Sequence, residues 1–210
     1  MGLPVFLVQH HYAHILSCMA ENEWTTEKKV IGVSFDGTGY GTDGTIWGGE
    51  ILLADYDSFT RWGCIEPFAQ TGGDASAKEG WRIAVSLLGK IYGQENALLI
   101  IETLGLCEPK LAKLQFTMEE RGINTVQSTS AGRLFDAVSA ILDIRKYSTF
   151  EGEASTSLQF AAEKWLDAQK KKIAGSEDFA ESGIITDYGE LKSSSDVAQK
   201  SVVEKNNSIN

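Results

Sequence analysis

The most informative segment of the chain is Val33-Ser-Phe-Asp-Gly-Thr-Gly-Tyr-Gly-Thr-Asp-Gly-Thr-Ile-Trp-Gly-Gly-Glu50. It begins as an apolar strand that ends at Asp36, and a predicted glycine turn at 36–44 leads into a second strand. Because glycine has no Cβ, the backbone N–H groups of such a turn can surround an anion, and Asp36 can hold a cation beside it. The segment therefore predicts a phosphate-and-metal site. An ordinary hairpin with a bulge is the alternative.

The flanking segments predict an α/β fold. Strands at 30–36, 45–55 and 60–66, joined by short polar or glycine-rich links, are typical of an antiparallel three-strand meander. Apolar positions at helical spacing predict that helices follow the meander. This order fits the phosphate-binding lobe of the actin/hexokinase-like (ASKHA) fold. The other predicted elements are helices at 9–22, 76–92, 95–105, 109–121, 131–143 and 153–171, strands at 4–8 and 184–191, and a loop at 69–75.

Composition narrows the class of protein. The 210 residues are 42% hydrophobic and 23% charged, which is enough for one large domain or two small lobes around a core. The net charge of −10 argues against a general nucleic-acid surface and against an anionic-membrane surface. No apolar run reaches transmembrane length and the first residues lack a signal-peptide pattern, so we expect a cytoplasmic protein. Cys18, Cys64 and Cys107 are widely spaced, which predicts reduced thiols that pack as small core hydrophobes.

All three histidines lie within the segment Gln9–His14. His10 and His14 are four residues apart, so a helix places them on one face, one turn apart. Two neutral imidazoles at this spacing can bind one divalent metal, and Asp36 could add a carboxylate from the nearby strand. A histidine pair without a metal is the alternative. His11 points elsewhere on the helix and could be a base, a substrate contact or a support, with an exposed polar side chain as the plainer expectation.

Two other pairs of residues could contact a nucleotide. Arg133 and Asp136 lie one turn apart in a predicted apolar helix. They could form an ion pair, or Asp136 could accept hydrogen bonds from ribose hydroxyls. Gly152 opens the next predicted helix and could let an adenine or a ribose pack against the backbone, with Glu153 as a second hydroxyl acceptor.

Taken together, these segments resemble the HypF carbamoyltransferases, a family of NiFe-hydrogenase maturation proteins. The resemblance covers roughly residues 4–190 and lies on the family's C-terminal carbamoyl-transfer domain. We therefore assign 1–190 as a partial domain made of a first lobe with inserted helices, and we expect 191–210 to be a polar, disordered tail. The motifs that carry the resemblance are Val8–His14, Phe35–Glu50, Lys78–Arg82, Ser128–Asp136 and Phe150–Glu153.

The resemblance implies a reaction and its partners. An upstream YrdC-like domain of the family makes carbamoyl adenylate from carbamoyl phosphate and ATP. The carbamoyl-transfer domain then passes the carbamoyl group to the C-terminal cysteine of HypE, so the thiol nucleophile comes from the partner. By match of motif, the implied site residues are His10 and His14 as catalytic metal ligands, Asp36 as a catalytic carboxylate on the metal or the phosphate, Gly37, Gly39 and Gly41 along the nucleotide phosphate, and Asp136, Gly152 and Glu153 around the ribose and adenine. Imidazole and carboxylate ligands suit Zn or Fe(II) alike.

The chain also departs from the family pattern. Tyr12 and Gly80 replace a frequent histidine and a frequent proline. Segments of the family's second lobe are missing, so we expect a fragment with an incomplete second lobe. One alternative function is therefore a truncated, non-catalytic nucleotide- or metal-binding module. A sugar kinase of the actin/hexokinase type shares the glycine turn, but phosphoryl transfer to a sugar needs no histidine pair.

Overall fold

The computed structural model describes Leu3 and residues 7–174, with the backbone alone for 172–174. The chain divides into two compact units, Met1–Lys164 and Trp165–Asn210. Of the second unit, only the helical stretch that ends at Ala174 is described.

Most of the predicted elements are present, with shifted boundaries. The predicted strand at 184–191 and the tail at 191–210 lie outside the described residues, as does most of the predicted strand at 4–8. The observed strands are β1 Val30–Tyr40, β2 Ile46–Ala54, β3 Phe59–Cys64, β4 Phe68–Thr71 and β5 Thr125–Ser128. The observed helices are α1 His10–Glu21, α2 Gly80–Tyr92, α3 Gln94–Thr103, α4 Pro109–Glu120, α5 Ala131–Ile141 and α6 Glu153–Ala174, with a short 3₁₀ helix at Gly73–Ala77.

The fold is α/β, and the described strands form one mixed sheet in the order β1-β2-β5-β4. β1, β2 and β3 pair antiparallel in succession, which confirms the predicted meander. β3 pairs with β2 along Glu50–Ala54, and β5 pairs with the same edge of β2 at Ile46. β5 runs parallel to β2, and β4 pairs antiparallel to β5. β4 and β5 extend the sheet beyond the predicted meander.

The segment between the meander and α2 differs from the prediction. The expected loop at 69–75 was wrong in its first half, because Phe68–Thr71 form β4. Gln70 and Thr71 are polar yet buried, so no alternation of polar and apolar residues marks this strand in the sequence. The helix expected from residue 76 begins at Gly80, since the 3₁₀ helix Gly73–Ala77 occupies the preceding turn.

β1 continues through most of the predicted glycine turn. The turn expected at 36–44 was placed too early, because the strand runs to Tyr40 and its register against β2 shifts between Phe35 and Gly39. Asp36 therefore lies in a bulge within the strand and not at the strand end. The chain reverses at 41–45, where the Gly41 N–H donates to the Thr45 carbonyl at 2.9 Å. A bulge bends a strand and redirects its side chains, which bears on where Asp36 points.

Two apolar clusters form the core. The first packs α2 against α5, α3, α4 and β4, and Gly80 allows α2 to approach α5 closely, since a Cβ there would lie 2.6 Å from the Asp136 carbonyl oxygen. The second packs α1 onto β1 and β2. The main members of the first cluster are Phe68, Trp81, Ile83, Ile101 and Phe116, and those of the second are Tyr12, Ile15, Met19, Trp47 and Leu52.

The cysteines pack differently from the prediction. Cys18 and Cys64 are exposed and Cys107 is partly exposed, so none of them is a fully buried core residue. All three are free thiols. Across the residues that the structure describes, no helix combines the length and the apolar character that a membrane crossing requires.

Candidate metal and nucleotide site

α1 begins at a side-chain cap. Gln9 has an extended backbone, with φ −64° and ψ 136°, and its Oε1 accepts from the Tyr12 N–H at 2.9 Å. This bond satisfies one of the N–H groups that lack a partner in the first turn. The helix therefore starts at His10, and His10 and His14 project from one face as predicted.

The structure brings His10, His14 and Asp36 together. His10 Nε2 lies 2.6 Å from Asp36 Oδ2 and 3.2 Å from His14 Nε2. His14 Nε2 lies 3.6 Å from the same carboxylate oxygen, and all three candidate ligand atoms lie within 4.8 Å of one another. The two histidines are exposed and Asp36 is partly exposed, so solvent can reach the cluster.

This donor set fits one divalent cation. Two ligands of a tetrahedral ion at about 2.0 Å lie roughly 3.3 Å apart, close to the 3.2 and 3.6 Å separations that involve His14. The 2.6 Å contact between His10 and Asp36 is a direct hydrogen bond, which a bound cation would replace. The role of these residues as metal ligands stays a prediction, and their convergence is what that prediction requires.

The backbone under Asp36 is held from two sides. A Cβ on Gly48 of β2 would lie 2.6 Å from the Asp36 carbonyl oxygen, and one on Gly132 of α5 would lie 2.8 Å from Gly37 Cα. Ser130 is the N-cap of α5. Its hydroxyl oxygen accepts from the Arg133 N–H at 3.0 Å, and its hydroxyl donates to the Gly37 carbonyl at 2.7 Å. The bulge is therefore packed between β2 and the N-terminus of α5.

The surroundings of Asp36 favour its ionised form. Burial raises the pKa of the carboxyl, but hydrogen bonds from His10 and from the Gly37 N–H outweigh burial and leave the pKa below its ordinary value. The Gly37 N–H lies 2.6 Å from Asp36 Oδ1. The carboxylate is therefore ionised at neutral pH, which is the form that accepts hydrogen bonds or binds a cation.

His11 is buried, which corrects the expectation of an exposed side chain. Its side chain is inaccessible to solvent, and Gln9 Nε2 lies 3.0 Å from its Nδ1. Burial lowers the pKa of His11, so the ring is neutral at pH 7. The sequence gives no sign of this burial, because the covering residues come from β1 and β2.

The three glycines assigned to the phosphate have different surroundings. A Cβ on Gly39 would lie 2.2 Å from His11 Cε1, and one on Gly41 would lie 2.3 Å from Trp47 Nε1. Packing within the chain already requires glycine at these two positions. A Cβ on Gly37 would meet nothing closer than Arg133 Nη2 at 3.8 Å, so this position is open. Phosphate contact by Gly37, Gly39 and Gly41 stays a prediction.

Arg133 and Asp136 form a buried ion pair. Arg133 Nη2 lies 3.0 Å from Asp136 Oδ2, and Arg133 Nη1 donates to the Ala77 carbonyl at 3.0 Å. Burial raises the pKa of Asp136 to about 6, and the Arg133 guanidinium opposes this only in part. Because Arg133 Nη2 also faces Gly37, α5 brings the pair next to the bulge. The role of Asp136 at a ribose stays a prediction.

Gly152 and Glu153 open α6. Gly152 has φ +77°, a left-handed conformation that glycine adopts without strain. Glu153 Oε2 accepts from the Thr149 N–H at 2.6 Å and from the Thr149 hydroxyl at 2.9 Å, and these bonds lower the pKa of Glu153. Arg145 lies 3.3 Å from the other carboxylate oxygen. Glu153 thus has partners within the chain, and its contact with a ligand stays a prediction.

One polar cluster was not found by sequence reasoning. Glu50 is fully buried at the centre of the sheet and pairs with Arg61 Nε at 2.7 Å. Arg61 Nη1 also reaches Asp43 Oδ2 at 3.0 Å, and the Thr129 hydroxyl donates to Glu50 Oε1. This cluster ties the 41–45 turn to β2, β3 and the end of β5. An acidic residue between glycines and apolar residues in β2 is the only local sign of it.

Comparisons with known proteins agree with this architecture. A family model described as carbamoyltransferase, Kae1-like domain, second subdomain, matches residues 32–204. The carbamoyltransferase HypF of Rhodobacter capsulatus is 39% identical in an alignment of 171 residues that covers 77% of this chain and 21% of that protein. The probable carbamoyltransferase HypF of Methanocaldococcus jannaschii is 38% identical over 164 residues, which are 78% of this chain and 21% of that protein.

A solved HypF structure also matches this chain. The crystal structure of a full-length HypF in the phosphate- and nucleotide-bound form matches with a TM-score of 0.66 and 38% identity, over 75% of this chain and 20% of the other. This chain therefore spans about a fifth of the length of these relatives.

Proposed function

This chain belongs to the HypF carbamoyltransferase family, and on that premise we propose that it transfers a carbamoyl group from carbamoyl adenylate to the C-terminal cysteine of HypE. Carbamoyl phosphate and ATP would be the precursors of the adenylate, and the modified HypE would serve NiFe-hydrogenase maturation. We place this reaction in the cytoplasm, on an actin/hexokinase-like lobe that residues 1–190 contribute to.

One observation carries the proposal, the convergence of His10, His14 and Asp36 within 4.8 Å. Two imidazoles and one carboxylate are ligands that suit Zn or Fe(II). A bound divalent metal would supply Lewis-acid polarisation of a carbonyl or phosphoryl oxygen, which would help AMP to leave when the acceptor thiol bonds to the carbamoyl carbon.

The remaining residues would bind and orient the adenylate. Gly37 would present the open part of the bulge to the phosphate, and Arg133 beside it would add positive charge. Asp136 would accept hydrogen bonds from the ribose hydroxyls. Gly152 and Glu153 would bound the adenine at the start of α6. No thiol of this chain is needed as nucleophile, because the acceptor protein brings its own.

Metal titration and a transfer assay test the proposal together. Calorimetry with Zn²⁺, and with Fe²⁺ under anaerobic conditions, is run on the 210-residue chain and on the His10→Ala/His14→Ala double variant. The matched control is Asp143→Asn, an exposed carboxylate outside the cluster. Loss of two of three ligands should weaken metal binding more than a hundredfold, whereas the control should bind as the wild type does.

Transfer is measured on a peptide that carries the HypE C-terminal cysteine. A separate YrdC-like enzyme supplies carbamoyl adenylate from carbamoyl phosphate and ATP, and mass spectrometry detects the carbamoylated thiol. We expect transfer by the wild type and none by the double variant. Equal transfer by both would show that the metal role is wrong, and metal and nucleotide binding without any transfer would favour a non-catalytic binding module.

A further inference from the structure

The Gln9 amide makes three hydrogen bonds, two within the first turn of α1 and one to β1. Its Oε1 accepts from the Tyr12 N–H at 2.9 Å. Its Nε2 donates to the Tyr40 carbonyl at 3.2 Å and to His11 Nδ1 at 3.0 Å. A backbone N–H can only donate and a backbone carbonyl can only accept, so these partners fix which end of the amide is oxygen and which is nitrogen.

The orientation of Gln9 also fixes the state of His11. Because Gln9 Nε2 is a donor, His11 Nδ1 must accept. An Nδ1 atom that accepts carries no proton, so the proton of the His11 ring lies on Nε2. His11 is packed tightly against Gly39, where a Cβ would lie only 2.2 Å from the ring. Gln9 and His11 thus press the first turn of α1 against β1 at two neighbouring points, Gly39 and Tyr40.

These two contacts lie just beyond the bulge that carries Asp36. The regular pairing of β1 with β2 is interrupted between Phe35 and Gly39. The hydrogen bonds between these two strands therefore do not by themselves fix the position of the bulge relative to α1. His10 and His14 belong to α1 and Asp36 belongs to β1. Their separations of 2.6 and 3.6 Å therefore depend on how α1 sits along β1, and Gln9 and His11 contact β1 next to the bulge.

We propose that Gln9 is a positioning residue, whose side-chain amide holds α1 on β1 through Tyr40 and His11 and so presets the spacing of His10, His14 and Asp36 for a divalent cation. This inference rests on the proposed metal site and extends it to a residue that would not touch the cation. Residues that orient metal ligands typically change metal affinity by about 10–100-fold when they are replaced.

The test separates this role from ordinary capping. Gln9→Ser keeps a side-chain oxygen suited to an N-cap but cannot reach Tyr40, whereas Gln9→Met removes both the cap and the contact with β1. Asn22→Ala is the matched control, since it removes the 2.9 Å bond from Asn22 Nδ2 to the Cys18 carbonyl at the other end of α1. Zn²⁺ affinity is measured by calorimetry, and thermal unfolding is followed without metal.

We expect Gln9→Ser to bind Zn²⁺ at least tenfold more weakly than the wild type while it unfolds within a few degrees of it. Asn22→Ala should keep its Zn²⁺ affinity. A readout without metal is the ¹⁵N spectrum of the His11 ring, which should show a proton on Nε2 in the wild type and a mixture of tautomers in Gln9→Ser.

Two results would overturn the inference. One is a Gln9→Ser variant with wild-type Zn²⁺ affinity and an unchanged His11 spectrum. The other is an Asn22→Ala variant that loses as much affinity as Gln9→Ser, which would mean that any weakening of α1 has the same effect. A wild type that binds no Zn²⁺ and no Fe²⁺ would instead remove the proposed metal site itself, so the two failures are distinguishable.

Discussion

Arg61 neutralises a carboxylate that has no access to water. Glu50 is fully buried and its Oε2 lies 2.7 Å from Arg61 Nε, while the guanidinium also stacks over Trp47 at 4.2 Å from the ring centroid. Arg61→Met would leave the buried charge unpaired. We expect it to lower the free energy of unfolding by about 3 kcal/mol, measured by urea denaturation.

The control is the surface salt bridge between Lys90 and Glu66, whose N···O distance equals that of the Arg61–Glu50 pair. Lys90 Nζ lies 2.7 Å from Glu66 Oε1, but both side chains are accessible to solvent, with 44% of Lys90 and 82% of Glu66 exposed. Lys90→Met should cost less than about 1 kcal/mol, because solvent screens the pair. Similar losses in the two variants would contradict the view that burial gives the Arg61 pair its importance.

Asp136 should make stability depend on pH. Its pKa rises from 3.8 to about 6 on folding, mainly through burial. Below about pH 4 the carboxyl is neutral in the folded and unfolded chains, and above about pH 6 the folded state carries the full cost of the buried charge. The free energy of unfolding should therefore fall by up to about 3 kcal/mol from this group as the pH rises through that window.

Asp136→Asn isolates this contribution. The other carboxyl groups titrate alike in both proteins, so the difference in unfolding free energy, variant minus wild type, should increase from pH 4 to pH 7. Urea unfolding at several pH values measures it. A difference that decreases over this range would mean that the Arg133 ion pair outweighs burial and that the pKa of Asp136 lies below 3.8.

At the scale of the element, the β1 bulge tolerates a side chain at one glycine and not at the other. Neither Gly37 nor Gly39 has a positive φ, so alanine fits the backbone at both positions. At Gly39 the new Cβ would overlap the His11 ring, whereas at Gly37 it would have free space. We expect Gly39→Ala to cost about 1–3 kcal/mol and to weaken Zn²⁺ binding by displacing α1.

Gly37→Ala is the matched control, with a stability change within about 0.5 kcal/mol of the wild type. Both variants are compared by thermal unfolding and Zn²⁺ calorimetry. If the two alanines behaved alike, the packing of His11 under Gly39 would not be what fixes the helix on the strand.

Long periodic elements could be predicted from the sequence, and short ones could not. The helix that carries the histidines has four-residue spacing and a polar cap, and the meander has clear apolar strands, so α1, β1 and β2 were expected. β4 and β5 are four residues each and include polar residues such as Gln70 and Gln127 that carry no alternating pattern. They become strands only because they pair with each other and with β2.

The same limit applies to the site. The convergence of His10, His14 and Asp36 follows from a helix face and a neighbouring strand, both of which are local patterns. The burial of His11 depends on β1 and β2, which are distant in the chain, so no local pattern shows it. The hydrogen bonds of Glu153 depend on the backbone conformation at Thr149, which the sequence does not indicate either.

At the scale of the whole molecule, β1 carries a strip of exposed apolar side chains. Ile31, Val33 and Phe35 alternate along the strand and are each at least 60% exposed, and β1 pairs only with β2 among the described strands. Such a strip on an edge strand favours association. We expect the chain to self-associate at high concentration, and Val33→Lys to weaken this at least tenfold in sedimentation velocity experiments.

Leu99→Lys on α3 is the control for added charge, since Leu99 is similarly exposed but lies away from the sheet. It should leave the association unchanged. A wild type that stays monomeric at all concentrations, or two variants with equal effects, would show that the β1 strip does not drive association.

The contact between Ser130 and the bulge bears on the order in which parts of the chain fold. His10 and Asp36 are 26 residues apart in the chain, whereas Gly37 and Ser130 are 93 apart, and the strands β2–β5 and the helices α2–α4 lie between them. Contacts across short stretches of chain close early and those across long stretches close late. We therefore expect the three proposed metal ligands to come together with α1 and β1 alone, before α5 packs against the bulge and brings the proposed nucleotide residues next to them.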